Sequence, residues 1–486
     1  MKILTVTHRF PPRHNTGAEL YSYRLAQRLS KQHRVTVFTA NDDLMHRNYS
    51  RRISNVDGLR VINVENHRRY SEFSHSYADP AMERLFDRIL QAERPDVVHF
   101  QHLLHHSTNY AAIARMHGIP TVMTLHEYWL LCARNGQLFD AKDERCTGPG
   151  LEKCAQCMSR FMWGRSKVDL WMLRGIHGVR KLTGMNFKAK ARRVRLRKVS
   201  DDDFVPSDRR LEDMRKNLLM REACVRDLID NVDCLIAPSE FLRDRFLEFG
   251  VDAERIVMSD YGTELRDFRN ITRAPQSEGP LRVGFMGSLQ PVKGAHVLLA
   301  ALRHLEPNNF EVEIYGDVEA KPEYVQEISE EMSDRVKFKG NAPAQDVPRI
   351  LSSFDVLVMP SIWWENSPLI IHEAFAAGIP VICSNVGGMS ELVEHGVSGL
   401  NFEVESPESL ADCLRSLQQD RNLLNQLRQG VPKLKDMKTD AAFHDQLFEA
   451  VLEHYEEMRA AAELEEEDDL FTDLANEDES SEDQEN

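Results

Sequence analysis

The chain has 486 residues, 42% of them apolar, which is too much for one ordinary core and enough for two or three domains. Its formal charge of −16 is uneven: thirteen acids and no Lys or Arg fall from Glu463 to the end, leaving −3 for the rest. Eight cysteines in this length exclude a disulfide scaffold. No run of about 18 uncharged residues is present to span a bilayer, and no secretory leader is visible. The expected location is therefore cytoplasmic, peripheral on the inner face of the cell membrane at most.

Lys2–Thr7 (KILTVT) is a short run rich in β-branched residues and predicts a buried first strand. The loop His8–Glu19 leads into a helix over 19–30, and Arg34–Thr39 predicts a second strand. Leu59–Val64, Asp96–Gln101 and Pro120–Leu125 predict three more, the last running into His126-Glu127. Strands alternating with helical stretches imply an α/β, doubly wound parallel sheet, with ligands beyond the carboxyl ends of its strands. Gly17 and His126 both follow such ends.

From about residue 130 to 219 the rhythm breaks. Cys132, Cys146, Cys154 and Cys157 fall within 26 residues, the last two as C-x-x-C. Four thiolates fit a structural zinc. An iron–sulfur cluster, disulfides and four bare thiols are the other readings. Residues 160–198 then carry thirteen Lys or Arg against one acid, Asp169, with Trp163 and Trp171 interleaved. That pattern suits an anionic membrane surface, or a solvated helical insert paired with acids; nucleic acid is not the expected partner.

The α/β pattern returns at Cys234–Ala237, a helix over 240–249 and Ile256–Met258. Thr272–Gly279 reads as a linker. A second α/β domain follows, with strands at Leu281–Met286, Phe310–Tyr315, Val336–Lys339, Val356–Met359, Pro380–Cys383 and Gly399–Phe402. Its first strand runs into Gly287-Ser288-Leu289-Gln290-Pro291-Val292-Lys293-Gly294, a turn able to bring amides and one mobile charge to a phosphate. Met359–Pro380 (MPSIWWENSPLIIHEAFAAGIP) holds two tryptophans, then Glu365-Asn366-Ser367-Pro368 and an apolar helix from Leu369. Asn366 or Ser367 is expected to cap that helix, leaving an anion site at its N-terminus. Glu365 and Glu373, with seven residues between them, bracket it as hydroxyl acceptors. A phosphate between two hydroxyl-binding carboxylates describes a nucleotide sugar.

These motifs resemble the retaining glycosyltransferases of the GT-B fold, and Gly387-Gly388-Met389-Ser390-Glu391 matches as well. The resemblance implies two Rossmann-like domains: residues 1–271, binding the acceptor and carrying the Cys-containing basic insert, and 280–436, binding the donor. A helix over 437–462 returns to the first domain, and 463–486 form an acidic disordered tail. It implies a nucleotide-diphosphate sugar donor, a glycan or lipid-linked acceptor, retention at the anomeric carbon, and no cofactor required for catalysis. The donor would be held by Gly17, Gly287, Ser288, Lys293, Glu365, Asn366, Ser367, Pro368, Leu369 and Glu373. His126, Glu365 and Lys293 would face the reacting centre, and Glu127 the acceptor hydroxyl. Where many members of the family carry Arg, this chain has Ser288, and where two glycines are common it has Thr16-Gly17. Those departures favour a non-catalytic scaffold with a degenerate donor site as one alternative; a nucleotide-sugar epimerase on the same fold is the other.

Overall fold

The computed structural model describes residues 1–14, 16–140, 144–183, 205–269, 279–319, 321–329 and 335–482. The first domain contains β1 (Lys2–Thr7), α1 (Gly17–Leu29), β2 (Arg34–Asn41), β3 (Arg51–Val56), β4 (Leu59–Glu65), α2 (Pro80–Glu93), β5 (Val97–Phe100), α3 (Tyr110–Met116) and β6 (Thr121–Thr124). The insert supplies α4 (Leu151–Arg160), α5 (Lys167–Thr183) and α6 (Asp208–Asn231), after which β7 (Cys234–Ala237), α7 (Glu240–Phe249) and β8 (Ile256–Met258) complete the sheet. Its order is β3-β4-β2-β1-β5-β6-β7-β8. β3 is antiparallel to β4 and every other pairing is parallel. The central strands are buried on both faces, as expected for a parallel sheet covered by helices.

The second domain alternates β9 (Leu281–Met286), α8 (Ala295–Leu302), β10 (Phe310–Tyr315), α9 (Pro322–Ser329), β11 (Val336–Gly340), α10 (Val347–Ser352), β12 (Val356–Met359), α11 (Leu369–Ala376), β13 (Val381–Ser384), α12 (Met389–Leu392) and β14 (Gly399–Phe402). Its sheet, β11-β10-β9-β12-β13-β14, is parallel throughout among the described residues. α13 (Pro407–Gln419) and α14 (Arg421–Gln429) follow. Most of the linker expected at 272–279 lies outside the described residues, as does the basic run at 191–198.

The chain then crosses back. Thr263 exchanges backbone hydrogen bonds with Lys435 and Met437. The final helix α15 (Met437–Glu482) buries Met437 and Phe448 in one cluster with Ile3, Tyr21 and Leu25 of the first domain. Asp440 anchors the contact, accepting from the Tyr21 hydroxyl at 2.9 Å and from Lys435 Nζ at 2.7 Å. α15 continues through the acidic segment to Glu482, where the charge run suggested a disordered tail. Seven of the twenty residues from Glu463 to Glu482 are Glu and three are Leu, and their high helix propensity is compatible with a continued helix. No helix among the described residues is long and apolar enough to cross a membrane.

Candidate active site

Four strands of the first domain end on polar side chains that meet in one cleft. His8 follows β1, Gln101 and His102 follow β5, His126 follows β6, and Tyr261 follows β8. His126 is tied at both nitrogens: Nδ1 lies 2.6 Å from the Tyr261 hydroxyl and Nε2 2.6 Å from Gln101 Oε1. Gln101 Oε1 can only accept, so Nε2 carries the proton and Tyr261 donates to Nδ1. Burial, with His102 and His8 nearby, pushes His126 down to about 3. At neutral pH it is a fixed, uncharged ring, suited to positioning a substrate rather than to relaying protons.

The His8 and His102 rings pack at a tilt of 48° with centroids 4.1 Å apart. Each faces a carboxylate: His8 Nε2 is 3.2 Å from Glu19, and His102 Nε2 is 3.1 Å from Glu127. Burial and His102 push His8 down to about 3. Burial alone would raise Glu19, but the His8 and Thr16 contacts outweigh it and hold the carboxyl well below its usual range. Thr16 and Glu19 have the spacing of a capping box. Here the Thr16 hydroxyl donates to Glu19 instead of capping α1, so the pair serves the cleft. A neutral His8 donating through Nε2 leaves Nδ1 as a buried acceptor, and that atom has no protein partner. Gly17 stands at the start of α1 with nothing within 4 Å of where a Cβ would sit. The fold therefore does not require glycine there, and the open space can receive a ligand.

The facing wall belongs to the second domain. Lys293 Nζ lies 2.5 Å from Glu365 Oε1 and 5.2 Å from the Trp363 ring centroid. The Ser361 hydroxyl donates to the same carboxylate oxygen at 3.0 Å. The loop Gly287-Ser288 to Lys293 is drawn against β12 by Gly294, whose φ is +71° and whose missing Cβ would stand 1.7 Å from Pro360 O. Only glycine meets both demands.

Asn366 and Ser367 do not cap α11, contrary to the sequence expectation. The N-cap position falls on Pro368, with no side-chain hydrogen bond. Asn366 instead accepts from the Ser239 hydroxyl at 2.5 Å and donates to Leu125 O and His126 O at 3.3 Å. Ser367 donates to Asp260 at 2.7 Å and lies 2.8 Å from His372 Nε2. Cross-domain partners have claimed both side chains, so the amides at Leu369 and beyond carry no side-chain cap. Gly388 packs on this loop, where a Cβ would stand 1.8 Å from Asn366 O. Glu373 projects from α11 to Arg24 of α1, 3.3 Å away, and burial raises its pKa despite that partner.

The structure thus brings His126, Lys293, Glu365, Asn366 and Ser367 to one seam, with Glu373 on the helix that follows, α11. Sequence reasoning missed Gln101, Tyr261, His102 and Arg24. The first three share one readable signal, a polar residue just past a strand's carboxyl end; Arg24, inside α1, has none.

The cysteine loop lies against this seam. Trp363 Nε1 donates to Gln137 O at 2.5 Å and Trp364 Nε1 to Cys146 O at 2.9 Å, while Trp364 stacks on Phe241 at 5.2 Å. Burial raises Cys132 and pushes Cys157 up to about 11. Cys146 Sγ donates to Gly148 O. Among the described residues no group of three or more His, Cys, Asp or Glu side chains is arranged to hold a metal ion.

A family profile described as Glycosyltransferase Family 4 matches residues 15–158, and one described as Glycosyl transferases group 1 matches residues 267–434. A D-inositol 3-phosphate glycosyltransferase of Corynebacterium glutamicum is 30% identical over 238 residues, 45% of this chain and 56% of that protein. The amylovoran biosynthesis glycosyltransferase AmsK of Erwinia amylovora is 31% identical over 197 residues, 38% of this chain and 48% of that one. The chain thus spans about half the length of these curated relatives. In fold it is similar to Anabaena Alr3699/HepE, crystallised with UDP and glucose (TM-score 0.58, 17% identity, 92% of this chain and 99% of that one). It is also similar to sucrose-phosphate synthase from Thermosynechococcus elongatus (TM-score 0.61, 17% identity, 93% and 99%). With a family 4 domain ahead of a group 1 domain on two predominantly parallel α/β sheets, the chain belongs to the GT-B glycosyltransferases.

Proposed function

We propose that this protein transfers a sugar from a nucleoside-diphosphate donor to a hydroxyl of a glycan or lipid-linked acceptor, with retention at the anomeric carbon. One observation carries the reading. The loop carrying Glu365, the partner of Lys293, is hydrogen-bonded through Asn366 to the carbonyls of Leu125 and His126 at the end of β6, so the ion pair and His126 belong to one interdomain seam. The diphosphate would pack against Gly287 and take the amides of Ser288 and the first turn of α11, with Lys293 opposing the charge that grows as the glycosidic C–O bond breaks. Glu365 and Glu373 would take sugar and ribose hydroxyls, Arg24 yielding Glu373 as the ribose arrives. The acceptor hydroxyl would enter beside His8, His102 and Glu127. The HepE structures solved with UDP and with UDP-glucose support a uridine donor as the first to try. The protein is read as cytoplasmic and peripheral to the membrane, with residues 160–198 facing anionic lipid.

The test is calorimetric titration with UDP-, GDP-, ADP- and dTDP-sugars, beside Lys293→Ala, followed by NMR of the product's anomeric proton. Saturable binding to one donor, lost in the variant, and a product of unchanged anomeric configuration are expected. A folded protein silent to every donor favours a degenerate, non-catalytic site. Consumption of the donor with no glycosylated acceptor favours an epimerase.

A further inference from the structure

A cavity of about 510 Å³ opens on the first domain beneath the start of α5 and shares no lining residue with the catalytic cleft. Arg69, Arg84, Arg165, Lys167, Tyr70 and His75 contribute to its wall. Its one acid, Asp79, is fully engaged: Oδ1 accepts from the Ala81 and Met82 amides as the cap of α2, and Oδ2 accepts from the Tyr49 hydroxyl at 2.8 Å. Arg165 is paired with Asp42 at 2.8 Å. Arg69, Arg84 and Lys167 are exposed and, among the described residues, make no ion pair or hydrogen bond. Three cations thus converge on a hollow with no free carboxylate, an arrangement that self-repulsion disfavours unless an anion enters.

The helix above it supplies the second half of the surface. Leu170 is buried and pins α5 to the domain. Trp171 is 77% exposed, Val168 65% and Met172 39%, an apolar patch left uncovered by the described residues. Lys167 and Trp171 are one helical turn apart, so the charge at the cavity and the indole lie on the same face. A cationic hollow large enough for a phosphorylated headgroup, flanked by an exposed indole, matches the layering of a lipid interface, with phosphate outside and hydrocarbon beneath.

We propose that this cavity is a headgroup site for an anionic phospholipid, in which Arg69, Arg84 and Lys167 hold the phosphate while Trp171, Val168 and Met172 enter the acyl boundary. The proposal rests on the reading of residues 160–198 as membrane-facing and assigns that contact to a defined site.

The test uses the full chain and vesicles of phosphatidylcholine with and without phosphatidylglycerol, read by co-sedimentation and tryptophan emission. Binding to the anionic vesicles alone is expected, with a blue shift that Trp171→Phe removes. Arg69→Ser and Arg84→Ser should each weaken binding about fivefold, and together roughly twenty-five-fold. Arg88→Ser is the charge-matched control, exposed on α2 outside the cavity, and should leave binding unchanged. Equal losses in the Arg84 and Arg88 variants would overturn the cavity while leaving the membrane contact standing. No binding to either vesicle would overturn both. Glycerol 3-phosphate binding as tightly as vesicles do would assign the cavity to a soluble phosphate ester and overturn the lipid docking.

Discussion

Lys293 has one carboxylate at 2.5 Å and an indole face at 5.2 Å, and its partner Glu365 is only 5% exposed. Removing the amine strands that carboxylate in a site where it was paired. Lys293→Ala should therefore lower transfer at least about 100-fold, as expected for the loss of a charge opposite a developing anion. It should also destabilise the fold by about 2 kcal/mol, the cost of an unsatisfied buried group. Lys293→Ala with Glu365→Gln should recover most of that stability and none of the activity. Denaturant midpoints and turnover on the same preparations separate the two effects; a double variant no more stable than the single one contradicts the pairing. The same residues show what could be read in advance. Lys293, Glu365 and Glu373 stand out because a turn after a strand and two spaced glutamates are local patterns. Gln101 and Tyr261, which hold His126, lie 25 and 135 residues from it in sequence, and no local pattern links them to it.

At the scale of elements, one carboxylate joins the domains. Glu391, at the start of the short α12, accepts the amides of Glu240 and Phe241 at 2.9 and 2.6 Å, so it caps α7 of the other domain. A negative charge at a helix N-terminus contributes about 0.5–2 kcal/mol. Ser239 caps the same helix from within, accepting from Leu242 N at 3.2 Å, so α7 survives without Glu391. Glu391→Ala should leave the first domain folded and loosen closure of the cleft. Small-angle scattering should show a wider apo particle, and donor affinity should fall by about fivefold to tenfold, the equivalent of 1–1.4 kcal/mol. An unchanged particle with unchanged affinity contradicts the role. The parallel strands of both domains were legible because burial on two faces makes them continuous apolar runs, as in VLVM of β12. β3 was not. Its sequence RRISNV is mostly exposed, and only the neighbouring strand makes it a strand. α6 was hidden too: its charges leave a narrow apolar stripe of Met214, Leu218, Val225 and Leu228. The capping of α11 misled for a further reason: Asn366 and Ser367 are good caps in isolation, but tertiary partners claimed them first.

Across the whole molecule, burial governs the response to acid. His8 and His126 are pushed down to about 3 and His106 to about 4, so all three are neutral in the folded protein. Unfolded, they take up protons near pH 6.5. Their contribution to stability is complete above that pH and is lost as pH falls, down to about 4 for His106 and about 3 for His8 and His126. The loss is about 1.4 kcal/mol per pH unit for each group. Glu19 acts in the same direction only below the usual carboxylate range. Urea midpoints should therefore fall steeply between about pH 6.5 and pH 4.5. A flat profile there contradicts neutral buried imidazoles.

The return of α15 carries one more consequence. The first domain is built from both ends of the chain, since Ile3 and Tyr21 share a cluster with Met437 and Phe448. As the chain leaves the ribosome, the second domain has all its strands before the first has its last helix. The half that is made first is finished last, and until then the groove around Tyr21 and Leu25 stays open to solvent and to chaperones.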